Sequence, residues 1–198
     1  MNRLIVLLWC VLFQQSVLAT ESVPEVLIRN ASDQVLSRIQ SNPGQFQQDP
    51  TKLYALVDEV VLPHFDFATM TDLALGRYQN KISAEQKQLI THEFRILLVR
   101  TYAKALLEYN DQKIIYLPIE GSLEGGDVTV RTEIEQAGGF PIPLNYSLKQ
   151  GKQGWKVYDI SVDDISLVMN YRSSFSREIR KNGVDSLIKT LGERNREL

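Results

Sequence analysis

Cysteine is almost absent from this sequence, whose 198 residues contain a single one, Cys10. It lies in an apolar run from Leu4 to Phe13 that follows the positive charge of Arg3. A run of about ten apolar residues is too short to cross a bilayer as a helix, and the residues at 17–19 match a signal-peptidase site. We predict that residues 1–19 are a cleaved signal peptide and that the mature chain begins at Thr20.

The predicted mature chain contains no cysteine, and it has only two histidines, His64 and His92. Without cysteine there is no disulfide, no thiol nucleophile and no thiolate metal site. The sequence also lacks the motifs of hydrolases, nucleotide-binding proteins and zinc proteases. Its formal net charge of −2 shows no basic excess, which argues against a nucleic-acid partner. We expect no cofactor, no metal and no catalytic site.

Helical periodicity dominates the first part of the chain. Apolar residues recur every three to four positions over 20–40, 49–63, 66–75 and 83–110. The last of these segments begins with Ser83 and has Gln86 three residues later, which is the pattern of a capping box. We therefore predict a series of helices that ends near residue 110.

The period changes to two in the second part. Strands are predicted over 113–120, 128–135, 142–149 and 154–162, with glycine-containing turns between them. Asp163 or Asp164 is predicted to cap a helix that continues to Phe175, and a last helix is predicted over 184–191. The result is a single α+β domain, residues 20–198, with helices packed on a curved, four-stranded antiparallel sheet. The concave face of such a sheet can enclose an apolar cavity.

Several short strings, in this order and spacing, resemble one known family. They are residues 61–70 (VLPHFDFATM), 74–78 (ALGRY), 101–103 (TYA), 155–159 (WKVYD), 166–167 (SL) and 170–172 (NYR). The family is MlaC, the phospholipid-binding carriers of the Mla system, also called the toluene-tolerance auxiliary proteins. The resemblance covers roughly residues 60–191 and the signal peptide.

The resemblance implies a monomeric phospholipid carrier in the periplasm of a Gram-negative bacterium. Its partners would be an inner-membrane Mla ABC transporter complex and an outer-membrane Mla lipoprotein–porin complex, and its role would be to maintain outer-membrane lipid asymmetry. The implied fold is similar to the cone of nuclear-transport-factor-like proteins, with acyl chains in the cavity. The family has no catalytic motif, and phospholipid would be its cargo.

The cavity walls are predicted to come from the inward faces of the helices and strands. The predicted wall residues are Met70, Leu73, Phe94, Leu98, Tyr102, Leu106, Val128, Val130, Ile142, Leu144, Tyr146, Val157, Val168, Tyr171 and Phe175. Periodicity does not distinguish a residue that lines a cavity from one that fills a core, so for each of them an ordinary core position is the alternative.

Two other functions remain open at this point. An isomerase or hydrolase could use the same cone, with His64, Asp66 or Asp159 as the base, and it would need one of these groups at the cavity floor with a perturbed pKa. A structural or adaptor protein would instead have a filled core and a large exposed apolar patch.

Overall fold

The helical part of the fold comes first along the chain. The protein is described by a computed structural model that covers residues 23–108, 112–136 and 138–198. Its first five helices are α1 (Val23–Ser41), α2 (Pro43–Gln48), α3 (Pro50–Val60), α4 (Phe67–Leu75) and α5 (Ala84–Tyr102). Short 3-10 turns follow three of them, at Leu62–His64, Gly76–Tyr78 and Ala103–Glu108. The predicted signal peptide and its cleavage site at Thr20 lie outside the described residues.

Side-chain caps explain where α3, α4 and α5 begin. The capping box predicted for α5 is present, because Ser83 Oγ accepts from the N–H of Gln86 at 3.0 Å and Gln86 Oε1 accepts from the N–H of Ser83 at 3.1 Å. The α5 helix ends earlier than predicted, since residues 103–108 continue it as a 3-10 turn. The short α2 was not predicted; it begins at Pro43, and proline suits the first position of a helix.

The sheet consists of the strands β1 (Ile114–Tyr116), β2 (Glu120–Ser122), β3 (Asp127–Ile134), β4 (Ile142–Gly151), β5 (Gly154–Val162) and β6 (Ile165–Ser166). These strands pair antiparallel in the order β1-β3-β4-β5-β6, and β2 pairs with β3 beside β1. The predicted antiparallel sheet is confirmed, but the predicted number of four strands is wrong. Pro118 interrupts the first predicted strand, because proline has no N–H to donate to the neighbouring strand. The strand therefore ends as β1 at Tyr116, and β2 begins at Glu120. The short β6 was also not predicted.

The last two helices are α6 (Leu167–Asn182) and α7 (Val184–Glu197), and α7 is longer than predicted. The start of α6 corrects a second prediction. Asp163 and Asp164 do not cap it; they form a tight turn with φ of 53° and 63° between β5 and β6. The cap is Ser166, whose Oγ accepts from the N–H of Met169 at 3.0 Å. Aspartate tolerates the left-handed region well enough to occupy such a turn.

The buried residues form three clusters. The first lies among α4, α5, α6 and α7, the second among α1, α2 and α3, and the third between one face of the sheet and the beginning of α1. The predicted α+β arrangement, helices on one face of an antiparallel sheet, is therefore confirmed. Within the described part of the chain, none of the helices combines the length and apolarity needed to cross a membrane.

Candidate functional site

The inner face of the sheet is apolar and is built by alternate residues of its long strands. The inward residues are Val128, Val130, Thr132 and Ile134 of β3; Ile142, Leu144, Tyr146 and Leu148 of β4; and Trp155, Val157, Ile160 and Val162 of β5. The opposite face carries polar residues. For example, Arg131 of β3 lies opposite Asn145 of β4, and Asn145 lies opposite Ser161 of β5. Alternation of this kind means that one face packs against protein and the other meets water.

A β-bulge changes which residues of β5 point inward. Ser147 pairs with Asp159, but the next residue, Leu148, pairs with Val157, so Tyr158 is left without a partner in β4. The inward residues are therefore odd-numbered before the bulge and even-numbered after it. A bulge also bends its strand and increases the local twist, which curves the sheet around its inner face.

Burial decreases along the inner face. At one end the side chains are buried, because Ile28 of α1 packs against them; this closed half consists of Val128, Val130, Leu148, Trp155 and Val157. Towards the other end lies the open half, whose large side chains are half-buried or exposed: Ile134, Ile142, Leu144, Tyr146, Ile160 and Val162. Thr132, which pairs with Leu144, is buried among them. Apolar side chains that face the helices and yet remain partly accessible can contact an apolar ligand.

Two tyrosines add polar atoms to this face without adding charge. Burial raises the pKa of Tyr146, and its neighbour Tyr116 raises it further. Burial also raises the pKa of Tyr116, although the nearby Arg29 lowers it. The guanidinium carbon of Arg29 lies 3.8 Å from the centroid of the Tyr116 ring. Both phenols are therefore neutral near pH 7, which suits an apolar ligand.

The space among α4, α5, α6 and α7 is filled by buried side chains. Phe94 of α5 packs edge-to-face on Tyr171 and Phe175 of α6, with ring centroids 5.0 Å and 5.2 Å apart. Phe94 and Phe175 are no more than 2% exposed. Tyr102 lies at the end of α5, where burial and the neighbouring Tyr171 raise its pKa to about 12. Phe94, Tyr171 and Phe175 thus form a close-packed aromatic core with edge-to-face contacts.

The segment between α3 and α4 joins the helices to the sheet. Phe65 forms an isolated parallel bridge with Val157 of β5, and the N–H of Asp66 donates to the carbonyl of Val157 at 2.8 Å. The rings of Phe65 and Phe67 stack with centroids 5.7 Å apart. Phe65 contacts the first and third clusters, whereas Phe67 contacts the first and second. These two rings therefore connect all three clusters.

The structure places the predicted wall residues in three groups and leaves three of them outside these groups. Those in the helical core are Met70, Phe94, Leu98, Val168, Tyr171 and Phe175. Those in the closed half of the sheet are Val128, Val130 and Val157, and those in the open half are Ile142, Leu144 and Tyr146. Outside these groups, Leu73 and Tyr102 are exposed on their helices, and Leu106 is half-buried against the second cluster. Contact of any of them with a ligand stays a prediction.

Three residues of the open half were not among the predicted walls. Ile134 shares the alternation of Val128 and Val130, so the signal for it was present in the sequence. Ile160 and Val162 are different, because the bulge interrupts the alternation that would have linked them to Val157. Strand periodicity alone does not reveal a bulge.

The residues considered as catalytic bases have structural roles. Asp66 caps α4, accepting from the N–H of Thr69 at 2.9 Å and from its hydroxyl at 2.6 Å. Asp159 accepts from the N–H of Val168 at 3.1 Å, and its other oxygen accepts from the Ser166 hydroxyl at 2.5 Å. Both carboxylates thus stabilise helix starts.

His64 lies at the end of the 3-10 turn before α4. Burial lowers its pKa, and the positive charge of Lys156 lowers it further. Lys156 itself donates to the carbonyl of Pro63. These contacts place His64 at the joint between the helices and β5, as a junction residue. Among the described residues, no three histidine, aspartate or glutamate side chains come together as metal ligands.

A separate cleft of about 290 Å³ lies between α3 and α5. It is lined by Tyr54, Asp58, His92, Arg95, Ile96, Val99 and Arg100. Its charged groups already have protein partners, since Arg95 pairs with Asp58 at 2.8 Å and Arg100 donates to the carbonyl of Asn195. None of the predicted wall residues lines this cleft.

The fold and this site define a single-sheet α+β protein whose helices cover one apolar face of an antiparallel sheet and leave half of that face open. The family model of the MlaC protein matches residues 29–193. The chain belongs to the MlaC family, as the sequence strings predicted.

Relatives and a solved structure agree with this assignment. The intermembrane phospholipid transport system binding protein MlaC of Haemophilus influenzae is 34% identical over 174 residues, which are 85% of this chain and 80% of that protein. The toluene tolerance protein ttg2D of Pseudomonas putida is 26% identical over 163 residues, 82% and 75% of the two chains. The solved phospholipid-binding protein of Ralstonia solanacearum, in complex with a phospholipid, superposes with a TM-score of 0.80 at 34% identity and covers 87% of this chain and 96% of its own.

Proposed function

We propose that this protein binds phospholipid and carries it, with the acyl chains against the open half of the sheet and without an enzymatic step. The observation that carries the proposal is that the open half is apolar, faces the helices and is incompletely covered. The proposal is supported by the relatives, whose names describe phospholipid transport and toluene tolerance, and by the similar solved structure, which holds a phospholipid.

The chemistry of the cargo explains why such a surface is needed. Each methylene of an acyl chain gains about 0.8 kcal/mol on leaving water, so a phospholipid with two chains does not cross an aqueous space unaided. A carrier has only to offer the chains an apolar environment similar to that of the bilayer. Tyr146 of the open half and its neighbour Tyr116 of β1 are neutral, so they place polar atoms on this face without an unpaired charge.

The finer role that we propose is transport between two membranes. The carrier would work in the periplasm, as a monomer, between an inner-membrane Mla ABC transporter complex and an outer-membrane Mla lipoprotein–porin complex, and would help to maintain outer-membrane lipid asymmetry. This is supported by the Haemophilus influenzae relative, whose name places it in an intermembrane phospholipid transport system.

Mass spectrometry of the purified protein tests the proposal. The full chain is expressed with its own amino terminus and purified. Native mass spectra of the purified protein should show bound phospholipid, and solvent extraction should release that phospholipid intact. A delipidated sample should take up phospholipid again from vesicles. Protein that emerges empty and stays empty after incubation with vesicles would refute the function.

A further inference from the structure

A group of large apolar side chains is exposed at one end of the sheet. We call it the apolar rim; its members are Phe140, Ile142, Val162, Ile165 and Met169. Phe140 is 93% exposed, Ile165 63% and Met169 51%. A single exposed apolar residue is ordinary, whereas several neighbouring ones mark an interaction site.

Backbone contacts bring the segments of Ile142, Val162 and Ile165 together, and Phe140 and Met169 lie close to them along the chain. Val162 pairs with Leu144, two residues after Ile142, and it also pairs with Ile165 of β6. The N–H of Asp163 donates to the carbonyl of Pro143 at 2.9 Å, which joins the two chain segments. Met169 follows in the first turn of α6, and Phe140 precedes β4 by two residues.

The rim continues the open half of the inner face. Ile142 and Val162 belong to both, and Leu144 lies next to them. A ligand bound against the open half would therefore reach the solvent at the rim. Whatever covers the rim would also cover the entrance to the site.

The tip of the rim is acidic. Asp163 and Asp164 form the turn at its tip, and both are exposed. The segments 138–143 and 161–166 contain no lysine or arginine. Arg172 borders the rim on α6: its Nη1 lies 3.9 Å from Sδ of Met169, and its guanidinium also packs against Gly76 at the end of α4. The rim is thus an apolar surface with an acidic tip and a single arginine at its α6 border.

We propose that the apolar rim is the docking surface for a protein partner that presents an apolar surface ringed by lysine or arginine beside its own lipid opening. This inference rests on the proposed function, because it supplies the contact through which cargo passes. The acidic pair selects for basic residues on the partner and speeds association with them. The exposed apolar side chains exclude water from the path between the two lipid sites.

The size and charge of the rim favour this occupant over others. Five side chains expose well under the ~800 Å² per partner that a standard stable interface buries, so docking is transient, as a carrier requires. A bilayer with anionic lipids repels the acidic pair, and the rim lacks the basic cluster that draws proteins to such membranes. A second copy would bring two acidic tips together, which opposes self-association.

Binding to a purified inner-membrane Mla ABC transporter complex, held in nanodiscs, tests the proposal. The affinity of the combined variant Phe140→Ser/Ile165→Ser for the complex should fall at least about tenfold, because apolar anchor residues carry much of the binding energy of an interface. The variant Asp163→Asn/Asp164→Asn should associate more slowly at low salt and lose much of its salt dependence. Asparagine is suitable there because it also tolerates positive φ.

Leu123→Ser is the matched control, because Leu123 is also an exposed apolar residue, at 48%, and lies in the turn before β3. The rim lies at the other end of β3, where Ile134 pairs with Ile142. The control variant should bind as the parent does. Bound phospholipid is measured in every variant by mass spectrometry, so that a failure of docking is distinguished from a failure of lipid binding. A parent without phospholipid would refute the proposed function and this inference together.

Three results would overturn the docking surface alone. The first is unchanged binding of lipid-loaded Phe140→Ser/Ile165→Ser to the complex. The second is binding of the parent to protein-free vesicles of phosphatidylethanolamine and phosphatidylglycerol that this variant loses, which would make a bilayer the occupant. The third is a dimer in sedimentation of the parent that the same variant abolishes, which would make a second copy the occupant.

Discussion

At the scale of single residues, Gly76 is the position with the most restrictive surroundings. It follows α4 with φ of 53° and ψ of −120°, a conformation that favours glycine strongly. A Cβ there would lie 2.7 Å from Nε of Arg172, whose side chain crosses this turn. Both the backbone and the available space therefore require glycine.

We expect Gly76→Ala to lower the free energy of unfolding by about 1–3 kcal/mol, measured by urea denaturation of delipidated protein. Adding Arg172→Ala should restore only part of the loss, because it removes the clash and leaves the backbone strain. Gly44→Ala is the control: Gly44 lies within α2 with no atom near its Cβ position, and alanine favours a helix. Full recovery in the double variant would contradict the argument from strain.

His64 should make stability depend on pH. Its pKa in the folded protein is lowered, first by burial and then by Lys156, from an unperturbed value of about 6.5. The unfolded chain therefore binds this proton more readily, so the stability contributed by neutral His64 is complete above about pH 6.5 and decreases as the pH falls through that value.

Urea midpoints at pH 7.5 and pH 5.5 check this expectation. The decrease between them should be smaller in His64→Gln than in the parent. His92→Gln is the control, because His92 is exposed on α5 and lies away from this joint. An identical decrease in His64→Gln and the parent would show that His64 has no part in it.

At the scale of elements, the segment Phe65-Asp66 protects the edge of β5 and also begins α4. The part of the β5 edge that β6 does not cover would otherwise present unpaired backbone groups, which are a common route to aggregation. The bridge from Phe65 and the hydrogen bond from Asp66 cover that edge. The same residues begin α4, so the segment both protects the sheet and fixes the helices against it.

The contact between α5 and α7 depends on a buried amide. Asn195 of α7 is 4% exposed, and its Nδ2 donates to the carbonyl of Glu93 at 2.9 Å and to Glu93 Oε2 at 2.6 Å. Arg100 of α5 donates to the backbone carbonyl of Asn195. A buried polar group of this kind is costly to leave without its partner.

We expect Asn195→Ala to lower the free energy of unfolding by about 1–3 kcal/mol and to speed hydrogen exchange in α7 more than in the sheet. Lys189→Ala, on the exposed side of α7, is the control, because its ion pair with Glu193 is long at 3.8 Å. Equal exchange in α7 of the parent and Asn195→Ala would show that this amide does not hold the helix.

At the scale of the whole molecule, the central question is which part of the interior receives the ligand. Val130 is fully buried in the closed half, whereas Leu144 is half-buried in the open half of the same face. Overpacking a filled core costs roughly 1–3 kcal/mol. A tryptophan in space that a ligand normally occupies displaces the ligand instead.

We therefore expect Val130→Trp to be destabilised by about that amount or more, and Leu144→Trp to remain as stable as the delipidated parent while it holds less phospholipid. Stabilities are compared after delipidation, because bound ligand stabilises the parent by mass action. Mass spectrometry measures the bound lipid, and urea denaturation measures stability. Stable Val130→Trp without lipid, or Leu144→Trp with full lipid, would move the binding site to the closed half.

Much of the fold was predictable because its signals are local. The spacing of Ser83 and Gln86 predicts the start of α5, and the alternation of Val128, Val130 and Ile134 predicts the apolar face of β3. Each of these patterns depends on residues a few positions apart, where helix and strand geometry alone decide which side chains meet. The family resemblance extended these local signals to the whole arrangement.

The sequence by itself determined the order of the longer helices and strands, the lack of cysteine chemistry in the predicted mature chain and the inward faces of elements such as α5 and β3. Only the tertiary structure decided that Phe94 and Phe175 fill a core, whereas Leu144 and Ile160 are only half-buried. It also decided that Asp163 and Asp164 form a turn and that β5 changes its inward residues at a bulge. The physical reason is that periodicity shows which side of a helix or strand avoids water. Which residues pack against that side depends on chain segments that are far away in the sequence.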